Sequence, residues 1–294
     1  MKRYRNYIIL HIIVLVFGFT GIIGALVKMS PDILIAYRTL MAGTVIYIYG
    51  KFKGISFSLN TNIILKLLAT GIIIAIHWVG FYGAIKVSNV SVTLACFASS
   101  SFFAALLEPI IYKRRIDIKE IMFGVLVMCG ISLIFTINFS YTLGILLALL
   151  AAFTSALFTI INGTLIGKID AIAISFYEML GGFIFIMLYF LFAEKLNTQL
   201  LDLSSKDWFL ILILSVFCTA ITFVMAIEIM KEISPYTVVL TVNLEPVYGI
   251  ILAYFILNEG DKLNWKFYLA ALFILIVVFL NTYLKSRRIK SIDI

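Results

Sequence analysis

The chain runs to 294 residues, of which 63% are hydrophobic and 13% charged, with a mean hydropathy of +1.12. No soluble domain of that length has such a composition, so the chain reads as a polytopic membrane protein. Its net charge of +8 sits in short loops and tails, where basic residues act as topology signals, and does not point to nucleic acid.

Ten apolar runs follow one another, at residues 7–28, 32–50, 64–86, 90–112, 118–137, 142–165, 170–193, 207–229, 233–257 and 264–285. Each approaches the roughly 20 residues that a helix needs to cross a bilayer. The first is too long for a signal peptide and lacks a small-x-small cleavage site, so it is expected to be a retained span. Tight junctions at 28–31 and 231–234 predict antiparallel neighbours, and the one long connection, 194–207, reads as an exposed polar loop. With the N-terminus cytoplasmic, sixteen Lys and Arg fall on the inner side and six on the outer, leaving Arg38 within a span. That asymmetry predicts cytoplasmic termini in a cell membrane. Trp208 and Trp265 then fall at outer span edges, where an aromatic belt belongs.

The second span carries Arg38, about two turns below its outer end. It can hold a substrate carboxylate, pair with Glu178 or Glu245, or snorkel to headgroups. Midway through the third span, His77 and Phe81, and Trp78 and Tyr82, form two i,i+4 pairs on adjoining faces. His77 is a candidate proton relay, with a hydrogen bond inside the bundle as the alternative. Trp78 and Tyr82 can line a cavity and stack on a cationic or aromatic solute. In the fourth span, Ser99, Ser100 and Ser101 read as interhelical hydrogen-bond donors. Glu108 is expected to pair with the basic cluster Lys113–Arg115. Asn162 and Gly163 read as a close-packing site, and Glu178 in the seventh span occupies the position equivalent to Arg38. Opposite charges at equivalent positions suggest one gating or substrate pair.

The ninth span, 233–257, carries Asn243, Glu245 and Pro246 near its middle. A carboxylate at that depth costs about 2.5–3.5 kcal/mol on insertion scales and belongs beside a cavity. Pro246 frees the carbonyl of Val242, and Tyr248 and Gly249 share the Glu245 face. Asn243 reaches the same face only if the proline distorts the helix. Glu245 is a candidate proton carrier or ligand for a substrate amine, with a structural ion pair as the alternative. Cys96, Cys129 and Cys218 lie inside apolar runs without metal-like spacing and read as small core residues.

The chain also repeats itself. Val87-Ser88-Asn89-Val90-Ser91-Val92-Thr93-Leu94 resembles Ile233-Ser234-Pro235-Tyr236-Thr237-Val238-Val239-Leu240, and Tyr37-Arg38-Thr39-Leu40 resembles Tyr177-Glu178-Met179-Leu180. Spans one to five therefore match spans six to ten, and since five is odd the copies are inverted. Domains at 1–139 and 140–294 are expected, with a site at midplane between them.

Those repeats, with Ala84-Ile85-Lys86-Val87-Ser88-Asn89-Val90-Ser91, Leu244-Glu245-Pro246-Val247-Tyr248-Gly249 and Leu257-Asn258-Glu259, resemble the EamA-type branch of the drug/metabolite transporter superfamily. The resemblance implies an all-α membrane protein of ten helices, two inverted five-helix repeats around a central cavity, that exports or exchanges small metabolites. The first copy departs from the pattern, since Ser99-Ser100 stands where the second has Glu245-Pro246. A symmetrical two-carboxylate mechanism is therefore not implied.

The reading is a secondary transporter of small polar or amphipathic metabolites such as amino acids, working by alternating access. Its substrate residues would be Arg38, His77, Trp78, Tyr82, Glu178, Asn243, Glu245 and Tyr248. No metal, cofactor or catalytic residue is expected; protons are a candidate coupling ion, and monomer and homodimer both stay open. A membrane receptor or assembly subunit is the alternative class. An intramembrane enzyme is disfavoured, because HExxH, GxSxG and paired intramembrane aspartates are all missing.

Overall fold

The computed structural model describes residues 2–113, 115–137, 139–196, 203–233, 238, 241–242, 244–261 and 263–292. Among them all regular structure is helical, apart from an isolated bridge between Ile166 and Ile169. The helices are α1 Lys2–Leu26, α2 Pro31–Phe52, α3 Thr61–Val87, α4 Val90–Tyr112, α5 Ile118–Ile137, α6 Thr142–Leu165, α7 Ala171–Phe192, α8 Ser205–Lys231, α9 Glu245–Ile256 and α10 Trp265–Ile292. Seven of these, α1–α4 and α6–α8, are long and apolar enough to cross a membrane. Shorter apolar stretches lie at Ile121–Ile134 in α5, Glu245–Ile256 and Trp265–Leu280.

Starts are fixed by short polar side chains. Asn60 accepts from the Asn62 amide at the head of α3, Asn89 from Val92 at α4, and Asp170 from Ile172 at α7. Each satisfies one of the donors a helix N-terminus leaves open. Ser30-Pro31 opens α2 instead through the fixed backbone of proline in its first turn.

The helix pairs obey one exchange rule. α1 packs on α9 as α6 packs on α4, and α3 packs on α7 as α8 packs on α2. The pairs α2–α7, α4–α9 and α5–α10 map onto themselves. For these pairs, adding or subtracting five to each helix number reproduces the contact, in keeping with two inverted five-helix repeats.

Where backbones meet, the residues are glycines. A Cβ on Gly71 of α3 would lie 2.1 Å from the Glu178 carbonyl oxygen of α7, and one on Gly181 would lie 2.3 Å from that of Leu68. Gly18 of α1 and Gly249 of α9 approach in the same way, a Cβ on Gly18 reaching the Gly249 nitrogen at 3.2 Å. Without a hydrophobic drive between helices in lipid, such close packing is what holds them together.

One end of the bundle, bearing the α1–α2, α3–α4, α7–α8 and α9–α10 connections, is tied by polar contacts between helices. The Lys28 amide donates to Asp207 at 3.0 Å, the Lys86 ammonium donates to the Val27 carbonyl, and Lys195 meets Asp32 at 2.8 Å. The Asp32 carboxylate and the Tyr189 hydroxyl hold the exposed Lys195 ammonium above the usual lysine range. The buried Glu259 carboxylate accepts from the Val90 and Ser91 amides, both at 2.9 Å, and from the Ser91 hydroxyl at 2.6 Å. The second repeat thereby caps a helix of the first. The ties at the opposite end include Lys66 to Thr164 at 3.1 Å and Tyr177 to the Phe57 carbonyl at 2.5 Å.

Glu259→Gln keeps one acceptor oxygen and puts a donor where the other was, so one buried α4 donor loses its partner. The expected loss is about 1–3 kcal/mol, read as a lower unfolding temperature of the purified protein. An unchanged unfolding temperature would mean that water replaces the cap.

Candidate functional site

Three backbone irregularities face one another near the middle of the bundle. In α4 the helix stops at Phe97 and restarts at Ser100. No proline lies there; Ser99 donates to the Cys96 carbonyl at 2.7 Å and Ser101 to that of Ala98 at 3.1 Å, so side chains satisfy backbone that the break frees. In α9, Leu244 sits in a turn and the helix starts at Glu245, with Pro246 in the first turn where its missing donor costs nothing. The span expected as one helix over 233–257 is therefore interrupted beside its carboxylate. Asn243 lies outside the described residues.

The third irregularity was not legible in the sequence. Residues Val216–Ile221 of α8 form a π-turn. Within it and just past it, Thr219 donates to the Leu214 carbonyl at 2.7 Å and Thr222 to Phe217 at 2.6 Å, each reaching five residues back. Such bulges recur at functional sites because they re-aim side chains. Here the bulge brings the Thr219 hydroxyl to Arg38.

Arg38 is 3% exposed. Its Nε donates to Thr219 Oγ1 at 2.6 Å and its Nη1 to the Tyr82 hydroxyl at 2.8 Å, while the guanidinium lies 3.9 Å from the Trp78 ring centroid. The i,i+4 pair Trp78/Tyr82 on α3 thus forms a platform for a cation from α2. Among the described residues no carboxylate lies within 4.0 Å of Arg38. Two of its five N–H donors are engaged, which leaves a fork able to grip a planar anion.

Arg38 and Glu245 line the same cavity, of about 90 Å³. Glu245 is buried and makes no hydrogen bond or ion pair among the described residues. Phe81, Phe97, Phe158 and Phe223 supply apolar wall to the same cavity. His77 also faces the cavity; its Nδ1 lies 2.8 Å from the Ala151 carbonyl, which can only accept, so Nδ1 carries the proton and Nε2 is an acceptor. Its ring packs on Phe81, Phe97 and Phe158. The cavity extends to Met230 and Val238, toward the end that bears the α8–α9 connection.

Of the residues singled out in the sequence, Arg38, His77, Trp78, Tyr82 and Glu245 come together in this cavity, and Glu178 and Tyr248 do not line it. Tyr248 packs against a cluster around Leu10 and Val14. Glu178 is fully buried behind Asn162, whose amide donates to it at 3.3 Å. The charge pair expected between Arg38 and Glu178 is not formed, because each side chain finds neutral partners on a different helix. Sequence reading missed Thr219 and treated Asn162 as packing; an amide in an otherwise apolar run was its only signal.

The EamA-like transporter family matches the chain twice, over residues 5–136 and 142–283. A curated relative, Uncharacterized transporter YxxF of Bacillus subtilis (strain 168), is 23% identical over 195 residues. That stretch is 64% of this chain and 61% of the relative, under two thirds of its length. One solved structure, described only as a crystal structure of protein, superposes with a TM-score of 0.69 at 12% identity, covering 95% of this chain and 98% of its own. At that identity the likeness speaks for the fold alone. With both halves matched and the helices packed as two inverted repeats, the chain belongs to the EamA-like transporter family and is a multi-pass membrane protein.

Proposed function

We propose that the protein is a secondary transporter of small amphipathic zwitterions, amino acids foremost, working by alternating access. The observation that carries this reading is a cavity with a donor-rich cation at one point and, among the described residues, an unpartnered carboxyl at another. A zwitterion brings an anion for Arg38 and a cation for Glu245, and the phenylalanines of the wall suit an apolar side chain.

The two repeats, 1–139 and 140–294, are the bodies that rock about the site in this reading. The excess of Lys and Arg on one side supports cytoplasmic termini in the cell membrane. By that orientation the tied end is external and the cavity extends toward the cytoplasm. Such a conformation loads from inside, in keeping with export or exchange. A receptor or assembly-subunit role lacks a comparable observation.

The test is a thermal-shift screen of purified protein against amino acids, nucleosides, sugars and quaternary amines. Ligand at 100 times its dissociation constant stabilises by about 2.7 kcal/mol, a readable shift. Amino acids are expected to stabilise the wild type. Glu245→Gln is expected to weaken them by about tenfold to a hundredfold, in line with roughly 1.5–3 kcal/mol for a hydrogen bond to a charged group. Their deaminated carboxylic acids should bind both proteins alike. Stabilisation by sugars or nucleosides alone, or an equal loss for both ligand sets, would sink the zwitterion reading.

A further inference from the structure

At the cavity wall, Asn162 of α6 and, behind it, Glu178 of α7 form a polar pair of their own, 1% and 0% exposed. Asn162 Nδ2 donates to Glu178 Oε2 at 3.3 Å, and the other two oxygens, Asn162 Oδ1 and Glu178 Oε1, are buried without a hydrogen-bond partner. Two acceptors cannot satisfy each other, and buried polar atoms left unpaired are rare and costly. One proton resolves both. Placed on Oε1, it makes the carboxyl a donor to Oδ1 and closes a cyclic acid–amide pair with two parallel hydrogen bonds. The atoms left over are the complementary halves of that pair.

Among the described residues no counter-charge competes for the site. Within α2, Arg38 is turned to Thr219 and Tyr82, Asp32 to Lys195, and Lys51 to the Tyr47 ring. Within α3, Lys66 holds Thr164, His77 the Ala151 carbonyl and Lys86 the Val27 carbonyl. Helix α6 has no ionisable side chain. On α8, Asp207 takes the Lys28 amide and Glu228 pairs with Lys231, while the Cys218 thiol faces the cavity. A bare carboxylate here would be an uncompensated buried charge. A metal ion fits poorly: among the described residues no three His, Cys, Asp or Glu side chains gather in one place.

We infer that Glu178 and Asn162 form a proton-binding site that exchanges with the substrate cavity through Asn162. Asn162 lines that cavity, so rotation of its amide opens the acid to the cavity's water. Release of the proton leaves a carboxylate and frees the amide; uptake restores the pair. The coupling role moves from Glu245, which faces substrate, to a residue that does not.

Infrared spectroscopy of the purified protein tests the site without any transport. The expected wild-type spectrum at neutral pH has a protonated-carboxyl C=O band with a component that Glu178→Gln removes and Glu245→Gln retains. Asn162→Leu should move that component to higher frequency, as a carbonyl losing a hydrogen bond does. Glu178→Gln is close to isosteric and keeps an acceptor for Asn162, so it is expected to fold. Glu178→Gln and wild-type spectra that superimpose would overturn the inference. The coupling step rests on the transport reading, and proteoliposomes with leucine address it: in Glu178→Gln, the ratio of pH-gradient-driven accumulation to counterflow should fall to its value without a gradient. A ratio equal to the wild type's would overturn coupling. Absence of any leucine flux in the wild type would instead count against the substrate class, with the infrared result still deciding the site.

Discussion

Arg38→Met is expected to weaken zwitterionic ligands by about a hundredfold to a thousandfold while leaving the protein as stable as the wild type. The affinity follows from geometry: a bidentate guanidinium–carboxylate contact comprises two hydrogen bonds to charged groups, at roughly 1.5–3 kcal/mol each and less than additive. About 3–4 kcal/mol corresponds to two to three decades in dissociation constant. Stability moves differently. Arg38 is a buried cation without an anion within 4.0 Å among the described residues, so an apolar side chain of similar length breaks no ion pair and removes a charge that is costly to bury. Thr219 keeps its bond to the Leu214 carbonyl after the change. Arg38→Lys should fall between, retaining charge but losing the fork that spans Thr219 and Tyr82. Isothermal calorimetry on amino acids and the matching amines lacking a carboxylate, alongside thermal unfolding, reads both. Equal losses for both ligand sets with a lowered unfolding temperature would assign Arg38 to folding rather than to recognition.

The helices were legible because lipid leaves the chain few choices. Every backbone group in the apolar core needs an internal partner, so runs such as 118–137 and 142–165 become α5 Ile118–Ile137 and α6 Thr142–Leu165. Hydropathy is blind to what interrupts a helix when its own side chains repair the damage. Pro246 announced the turn before α9, but the break at Ala98–Ser99 has only serines, whose hydroxyls occupy the Cys96 and Ala98 carbonyls. The π-turn at Val216–Ile221 has an apolar sequence that an ordinary helix would also accept.

The site was legible to the extent that its members share one helix face or carry a charge that lipid rejects. Trp78 and Tyr82 declared themselves by spacing, and Arg38 and Glu245 by cost. Which charges meet was not legible, because equivalence between repeats fixes depth and says nothing about facing. Arg38 and Glu178 occupy matching positions and end with different partners, one on Thr219 and Tyr82, the other on Asn162. Thr219 is aimed by an irregularity of its own helix and left no trace in the pattern.

Gly71→Ala, the smallest side chain that can be added, is expected to destabilise the protein by about 2–3 kcal/mol or more. The new methyl would sit 2.1 Å from the Glu178 carbonyl oxygen and 2.9 Å from the Gly182 nitrogen. Both obstacles are backbone, so no rotamer change relieves them and α3 must move away from α7. Overpacking typically costs about 1–3 kcal/mol, and here the same shift loosens a contact repeated at Gly181 and Gly182, so the upper part of that range is expected. Because Glu178 sits at the crossing, the movement also pulls it from Asn162, and the infrared component assigned to the acid–amide pair should weaken in the same variant. Gly83→Ala is the control: its methyl would meet only the Leu147 side chain, at 3.3 Å, which can turn aside, so its effect should be near zero. Thermal unfolding of the two variants beside the wild type decides the matter. If Gly71→Ala unfolds with Gly83→Ala, the α3–α7 backbone contact is looser in solution than the packing described here, and the position of Glu178 would need another account.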